Sequence, residues 1–223
     1  MIKNRISLKD KIKIPHYSLS EELVNAVSHG IGALFSVAAL VLTVVLSTWK
    51  GNVWGVVSSA IYGGTLIILY TMSTLYHSFK VNNAKRVFRI IDHCSIYLLI
   101  AGTYTPYTLV SLRGPVGWTL FGVVWGAAIL GIIFNSIDMN KYKIISMIAY
   151  IAMGWVIVLA AKPLYESIGF SGIFWLLLGG VLYTVGAVFY VIGKKRRFSH
   201  SIFHIFVLFG SLCHFFSILF YVL

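Results

Sequence analysis

Residues 200–222 read HSIFHIFVLFGSLCHFFSILFYV, an apolar run that opens with two histidines four residues apart. A transmembrane helix needs about 20 consecutive apolar residues, and this run contains no Asp, Glu, Lys or Arg. The stretch therefore predicts a helix that crosses a bilayer and carries a polar pair at one end.

The rest of the chain follows the same pattern. Of its 223 residues, 59% are hydrophobic and 11% are charged, whereas soluble proteins average about 25% charged residues. So much apolar surface predicts an all-α integral membrane protein with a basic tail at 1–22 and a seven-helix transmembrane domain at 23–222. The seven predicted transmembrane helices are 23–49, 52–78, 90–112, 115–135, 143–161, 172–193 and 200–222.

The positions of the basic residues predict the orientation. Fifteen of the 18 Lys and Arg residues fall in the tail and in the loops after the second, fourth and sixth predicted helices. Cytoplasmic loops carry the excess of basic residues, so the N-terminus is expected in the cytoplasm and the C-terminus outside, in the plasma membrane. Short basic clusters between apolar runs predict contact with anionic headgroups of membrane lipids, and no nucleic-acid partner.

With seven alternating helices, several polar side chains are expected in one layer near the cytoplasmic face. His77 falls at the end of the second helix, Asp92 at the start of the third, and His200 and His204 at the start of the seventh. Ionisable residues inside a membrane are costly and usually mark a functional site.

The spacing of these residues favours a metal. His200 and His204 lie on one helical face about one turn apart, roughly 6 Å, and two imidazoles so spaced can share one metal ion. A catalytic zinc takes three protein ligands and keeps one position open for water. His77 is the natural third ligand, Asp92 is a candidate general base that holds the water, and Ser73 lies on the same face as His77.

Other polar residues have more ordinary interpretations. Asn25 and His29 are expected to orient the ligands rather than bind the metal, since three histidines already suffice. His214 lies deeper on the seventh helix, where an interhelical hydrogen bond is favoured over a proton path. Histidines near a helix end also contact lipid headgroups, so the pair at 200 and 204 alone is a weak motif.

Three motifs carry a resemblance to a known family. They are EELVNAVSH at 21–29, STLYH at 73–77 followed by Asp92 and His93, and HSIFH at 200–204. In this order the sequence resembles the bacterial hemolysin III proteins, within the progestin and adipoQ receptor family that includes the adiponectin receptors. The resemblance covers residues 20–222.

The resemblance implies a zinc ion held near the cytoplasmic face by His77, His200 and His204. It gives Asp92 the role of holding water and Ser73 that of the neighbouring serine. The family is also similar to the alkaline ceramidases, which implies hydrolysis of an amide bond in a lipid. The short tail departs from the long N-terminal domain of the receptors, so recognition of an adiponectin-like ligand is not implied.

These observations predict a zinc-dependent lipid hydrolase, amidase-like and involved in membrane homeostasis. One alternative is a non-enzymatic sensor or receptor in which a structural zinc holds helices together. Another is a hemolysin that permeabilises membranes. A third is a proton or cation pathway through His214, His204 and Asp92.

Overall fold

The computed structural model describes residues 12–192 and 196–223, which fold almost entirely into helices. A 3-10 turn, Val156–Ala160, joins the fifth helix to the sixth, and π-helical turns, Tyr107–Ser111 and Ile218–Val222, extend the third and the seventh. The predicted tail residues 1–11 and the basic residues Lys194 and Lys195 lie outside the described residues. The α-helices are α1 (Leu19–Trp49), α2 (Val53–Ser78), α3 (Asn83–Pro106), α4 (Pro115–Asp138), α5 (Lys143–Trp155), α6 (Ala161–Ile192) and α7 (Ser199–Ser217).

Polar caps fix where the first helices begin. The Ser18 side chain accepts a hydrogen bond from the backbone N–H of Glu21, and the Glu21 carboxylate accepts one from the Ser18 backbone, which is a capping box. The first helix therefore begins at Leu19, earlier than the predicted position 23, and includes Glu22 and Asn25 in its first two turns. Asn52 and Asn82 cap α2 and α3 in the same way.

The prediction of seven transmembrane helices is wrong. Within the described residues, five helical segments are long and apolar enough to cross a membrane. The predicted helix 90–112 is not among them, because α3 ends at Pro106 and combines Asp92 and His93 with a basic first half. The five segments are Leu19–Trp49, Val53–Ser78, Pro115–Asp138, Lys143–Ile192 and Ser199–Val222.

The two predicted helices 143–161 and 172–193 form one helical segment of 50 residues, Lys143–Ile192. Gly169 and Gly172 lie between the two predicted helices. Gly172 stays helical, while Gly169 has φ 66° and ψ −177°, a non-helical conformation at which two helices meet in a kink within α6. A glycine permits such a break without forcing one, because it adopts positive and negative φ about equally well.

The predicted orientation, with a cytoplasmic N-terminus and an external C-terminus, was deduced by alternating seven helices, so that deduction fails with the count. The clustering of the polar side chains does not depend on that orientation. The atomic positions show directly which residues come together.

The helices pack through small and polar residues and present large apolar ones outward. The buried face of α1 recurs every three or four residues and lies against α2. Lipid is as apolar as leucine, so membrane helices associate by close packing of small residues and by interhelical hydrogen bonds. Leu34 and Val27, on the opposite face, are exposed. The buried face of α1 consists of Asn25, His29, Gly32, Ser36, Ala39, Thr43 and Ser47.

Candidate metal centre and cavity

Three buried histidines from α2 and α7 converge at one point. The ligand nitrogens of His77, His200 and His204 all lie within 4.8 Å of one another. Nε2 of His200 is 3.1 Å from Nε2 of His204, as expected for residues one helical turn apart. These three side chains are able to hold a metal ion.

His77 is oriented by a carboxylate from α1. Its Nδ1 donates a hydrogen bond of 2.6 Å to Oε2 of Glu22, and its Nε2 is buried without a hydrogen-bond partner. The amide Nδ2 of Asn25 lies 3.4 Å from the same Nδ1, but the shorter contact with the carboxylate decides where the proton points. Metal-binding imidazoles characteristically donate their second N–H to a carboxylate or carbonyl, so the free Nε2 is set up as a ligand.

His204 is oriented in the same manner by backbone. Its Nδ1 donates to the carbonyl of Asn25 over 3.3 Å, which directs Nε2 toward His200. Two imidazole nitrogens this close are held by one shared proton or by a cation. The unpartnered Nε2 of His77 beside them favours the cation, since buried polar atoms seldom go unpaired. The residues present therefore fit a metal ion.

The carboxylate that orients His77 belongs to a buried charge network. Oε1 of Glu22 accepts a hydrogen bond of 2.7 Å from Nζ of Lys85, which also donates to the carbonyl of Phe79 over 3.0 Å. Lys85 is only 1% exposed, whereas the Glu22 side chain is 18% exposed, so the ion pair is partly shielded from solvent. Sequence reasoning noted Glu22 only as a polar residue of the first turns. Its position one turn before Asn25 was the available signal. Lys85 falls in the first turn of α3, but from the sequence it was assigned to the basic loop after the second predicted helix, where no spacing pattern marks it.

Asp92 and Ser73 lie together beside the histidines. Both are buried and line one cavity with His200 and His204. The Ser73 hydroxyl interacts with the Asp92 carboxylate, although it makes no hydrogen bond of good geometry. The two groups therefore retain hydrogen-bonding capacity for a further molecule.

His93, next to Asp92, is occupied elsewhere. Its Nδ1 donates to the carbonyl of Arg89 over 3.0 Å, and its Nε2 lies 3.2 Å from the hydroxyl of Tyr190. Both ring nitrogens are thus engaged by protein groups. Nδ1 of His93 also lies 3.6 Å from Oδ2 of Asp92, and both residues line the same cavity.

His29 lies inside the cluster but outside the ligand group. Its ring stacks on that of His204 with centroids 3.6 Å apart and packs edge-on against Tyr70. Neither of its ring nitrogens has a hydrogen-bond partner. His29 thus packs against the ring of His204, and its role in orienting the ligands stays a prediction. Asn25 contacts His204 through its backbone carbonyl, whereas the shorter hydrogen bond on Nδ1 of His77 is the one to Glu22.

Tyr17, from the segment that precedes α1, covers the centre. Its ring stacks on His200 with centroids 5.0 Å apart and tilts over His77 at 5.9 Å. Burial raises the pKa of Tyr17, so the phenol stays neutral. The segment is tied down where Arg89 donates a hydrogen bond to the carbonyl of Lys13. Sequence reasoning missed Tyr17, because a single tyrosine in a basic tail has no distinguishing pattern.

A cavity of about 150 Å³ extends from these residues into the helix bundle. Its lining is mainly apolar, with Leu69, Ile100 and Leu176 among the side chains. At the end remote from His204 it reaches His214 and Tyr183. Asp92 and Ser73 therefore face a space whose walls are mainly apolar.

Comparisons with known proteins identify relatives along nearly the whole chain. The family model described as "Haemolysin-III related" matches residues 17–215. Hemolysin-3 of Bacillus cereus is 47% identical over 92% of this chain and 93% of its own length. The hemolysin-3 homolog of Bacillus subtilis (strain 168) is 45% identical over 92% and 96%.

More distant relatives extend the relationship to animals. The human monocyte to macrophage differentiation factor is 28% identical over 89% of this chain and 83% of its own length. The adiponectin receptor protein of Drosophila melanogaster is 24% identical over 73% and 42%, which supports a relationship to the progestin and adipoQ receptor family. No solved structure matches the chain.

The family match spans most of the chain, and two relatives exceed 40% identity over nearly their full length. The apolar helical segments agree with a multi-pass protein of the cell membrane. The resemblance inferred from the three motifs is thereby confirmed: the chain belongs to the haemolysin-III-related family of membrane proteins.

Proposed function

We propose that the protein is a zinc-dependent hydrolase that cleaves an amide bond in a membrane lipid. The observation that carries the proposal is a group of three histidines, two of which line an apolar cavity together with a carboxylate and a serine. Three neutral imidazoles are a ligand set that zinc readily accepts. The apolar lining suits an acyl chain, and the position of Asp92 at the cavity wall suits attack on the bond at its head.

Each residue has a distinct part in this proposal. Zinc bound by His77, His200 and His204 supplies Lewis acidity toward the amide carbonyl and lowers the pKa of water. Asp92 accepts a proton from the attacking water and returns it to the departing amine. Ser73 hydrogen-bonds the water or the carbonyl oxygen, while Glu22 and the Asn25 carbonyl keep the imidazoles in the required tautomers.

The test is the variant Asp92→Asn. Asparagine keeps the shape and one acceptor oxygen but cannot take up a proton at neutral pH. We expect the variant to fold and keep its zinc while activity on lipid amides falls by roughly 10²- to 10⁴-fold, the usual contribution of a general base. Zinc content, melting temperature and the cellular lipid profile are measured on the same membranes.

Asp138→Asn is the matched control, because Asp138 caps backbone N–H groups at the exposed end of α4. It should leave zinc, stability and lipid profile unchanged. A stable, zinc-loaded Asp92→Asn protein with a normal lipid profile would exclude the hydrolase.

A second candidate, a sensor or receptor with a structural metal, is favoured by one observation. Tyr17 stacks directly over His200 and encloses the histidines on one side, as expected where a metal only holds α2 and α7 together. In that case Asp92→Asn behaves like the parent as long as the metal stays bound. The relatives named hemolysin suggest a third test, since a permeabilising protein should lyse cells even without the metal ligands.

A further inference from the structure

The cavity has a second polar region at its end remote from the metal centre, which we call the far end: Thr103, Tyr107, Tyr183 and His214. His214 is 6% exposed, and its Nδ1 is buried without a hydrogen-bond partner. Thr103 is also 6% exposed, and its Oγ1 is likewise unpartnered. All four residues line the same cavity.

The register of two helices places Thr103 and His214 at similar depth. Asp92 on α3 and His204 on α7 both line the cavity at the metal centre. Thr103 follows Asp92 by eleven residues and His214 follows His204 by ten, so each lies about 15 Å further along its helix. The π-helical turn that contains Tyr107 continues α3 immediately beyond, and such turns often occur at functional sites.

Packing holds His214 in place and leaves one nitrogen unpaired. Its ring lies 5.1 Å from that of Tyr183, and a Cβ on Gly179 would collide with it. The hydroxyl of Tyr183 is already engaged by Ser211 at 2.8 Å. Neighbouring protein groups therefore fix His214 without satisfying its Nδ1. Three polar atoms at the far end are buried without a hydrogen-bond partner, namely Nδ1 of His214, Oγ1 of Thr103 and the hydroxyl of Tyr107. They are a specific feature of a mainly apolar wall, because leaving such atoms buried and unpaired is costly.

We propose that the far end is a second binding subsite, which takes a hydroxyl group carried along the acyl chain of a lipid. A hydroxyl both donates and accepts, and neutral imidazole and threonine can each supply the complementary role. A hydroxyl placed partway down the chain would reach the far end while the head of the lipid lies near Asp92. This proposal rests on the proposed hydrolase function in one respect, namely that the occupant of the cavity is the acyl chain of a lipid.

The experiment compares binding of ricinoleate and oleate, two fatty acids that differ by one mid-chain hydroxyl. Binding to the full-length protein in nanodiscs is measured by displacement of a fluorescent fatty acid. We expect ricinoleate to bind about tenfold more tightly, since a site built to hydrogen-bond a hydroxyl disfavours the analogue that lacks it. Thr103→Val and His214→Phe should each remove most of this preference, which is read as the ratio of the two affinities measured on the same variant.

The control is Thr43→Val, since Thr43 is buried on α1, bonds to its own helix and does not line the cavity. It should keep the full preference. Equal binding of the two fatty acids by the parent, or a preference that survives in Thr103→Val, would overturn the proposal and leave ordered water as the occupant. Because binding of a fatty acid requires no hydrolysis, this result is independent of the Asp92→Asn test.

Discussion

Buried histidines lie both at the metal centre and at the far end of the cavity, but they differ in whether Nδ1 has a hydrogen-bond partner. At the metal centre, Nδ1 of His77 is bonded to Glu22 and Nδ1 of His204 to the carbonyl of Asn25. At the far end, Nδ1 of His214 has no partner at all. Burial therefore does not distinguish His77 and His204 from His214. The hydrogen bond on Nδ1 does.

This difference explains what each end is suited to bind. A histidine whose N–H is fixed presents a lone pair in a defined direction, as His77 and His204 do. Two such lone pairs that meet beside the ring of His200 suit a cation. A histidine held by packing, with a nitrogen free, can donate or accept according to its tautomer. It therefore suits a neutral polar group better than a metal, especially beside a lone threonine hydroxyl.

The largest expected effect is the loss of bound metal from variants of the three histidines at the metal centre, with no such loss from variants at the far end. Protein purified without chelator should contain about one zinc ion per chain, and His77→Ala, His200→Ala or His204→Ala should each lose most of it, because two imidazoles hold zinc far less well than three. Metal content is measured by elemental mass spectrometry. The melting temperature should fall with it, since an ion that binds only the folded state stabilises that state.

His214→Phe provides the control for this comparison, because it replaces a buried histidine at the other end of the same cavity. It should retain all of the zinc. His29→Ala should retain more than the three ligand variants, since His29 only stacks on His204. Full zinc in all the ligand variants would place the metal elsewhere.

A smaller effect is expected from Glu22→Gln, which tests whether the orienting hydrogen bond matters. Glutamine keeps the length of the side chain but loses the charge that pairs with His77 and Lys85. Metal affinity should fall by about 10- to 100-fold, the usual cost of changing a group that orients a ligand. The measurement is competition for zinc with a chelator of known affinity.

The control for Glu22→Gln is Glu166→Gln, at an exposed position on α6. It removes one negative charge from the protein, as Glu22→Gln does, but changes no residue at the metal centre. An equal loss of affinity in both variants would show that net charge matters and that the hydrogen bond to His77 does not.

Spacing along the sequence predicted the histidine group because a helix brings residues four apart onto one face, as at His200 and His204. His77 was predicted as the third ligand because the second predicted helix ends at the same membrane depth at which the seventh begins. Glu22 was seen as polar but not as the partner of His77, because tautomer control is a property of three-dimensional contacts. Tyr17 was missed for the same reason.

The predicted number of transmembrane helices was wrong in two parts of the chain, residues 90–112 and 143–193, because hydropathy is a poor guide to where helices end. Gly169 and Gly172 lie between the fifth and sixth predicted helices. The backbone leaves the helical conformation at Gly169, where two helices meet in a kink within the segment Lys143–Ile192, whereas Gly172 stays helical. The predicted helix 90–112 combined an apolar half with Asp92, His93 and several tyrosines and threonines. These polar groups are accommodated because α3 is buried among other helices, where they face protein.

The smallest expected effect concerns two threonines of α3 that differ only in their hydrogen bonds. Thr105 donates through Oγ1 to the carbonyl of Ala101 over 2.8 Å and accepts from Nε1 of Trp125 over 3.2 Å, whereas Oγ1 of Thr103 has no partner. Thr105→Val should lower the free energy of unfolding by about 1 kcal/mol, because Trp125 loses its acceptor. Thr103→Val should leave it unchanged or slightly raised, because valine keeps the shape and removes an unpaired hydroxyl. Both are measured by denaturation in mixed micelles without added lipid, and equal losses would mean that Thr103 is hydrogen-bonded and that the far end is already satisfied by the protein.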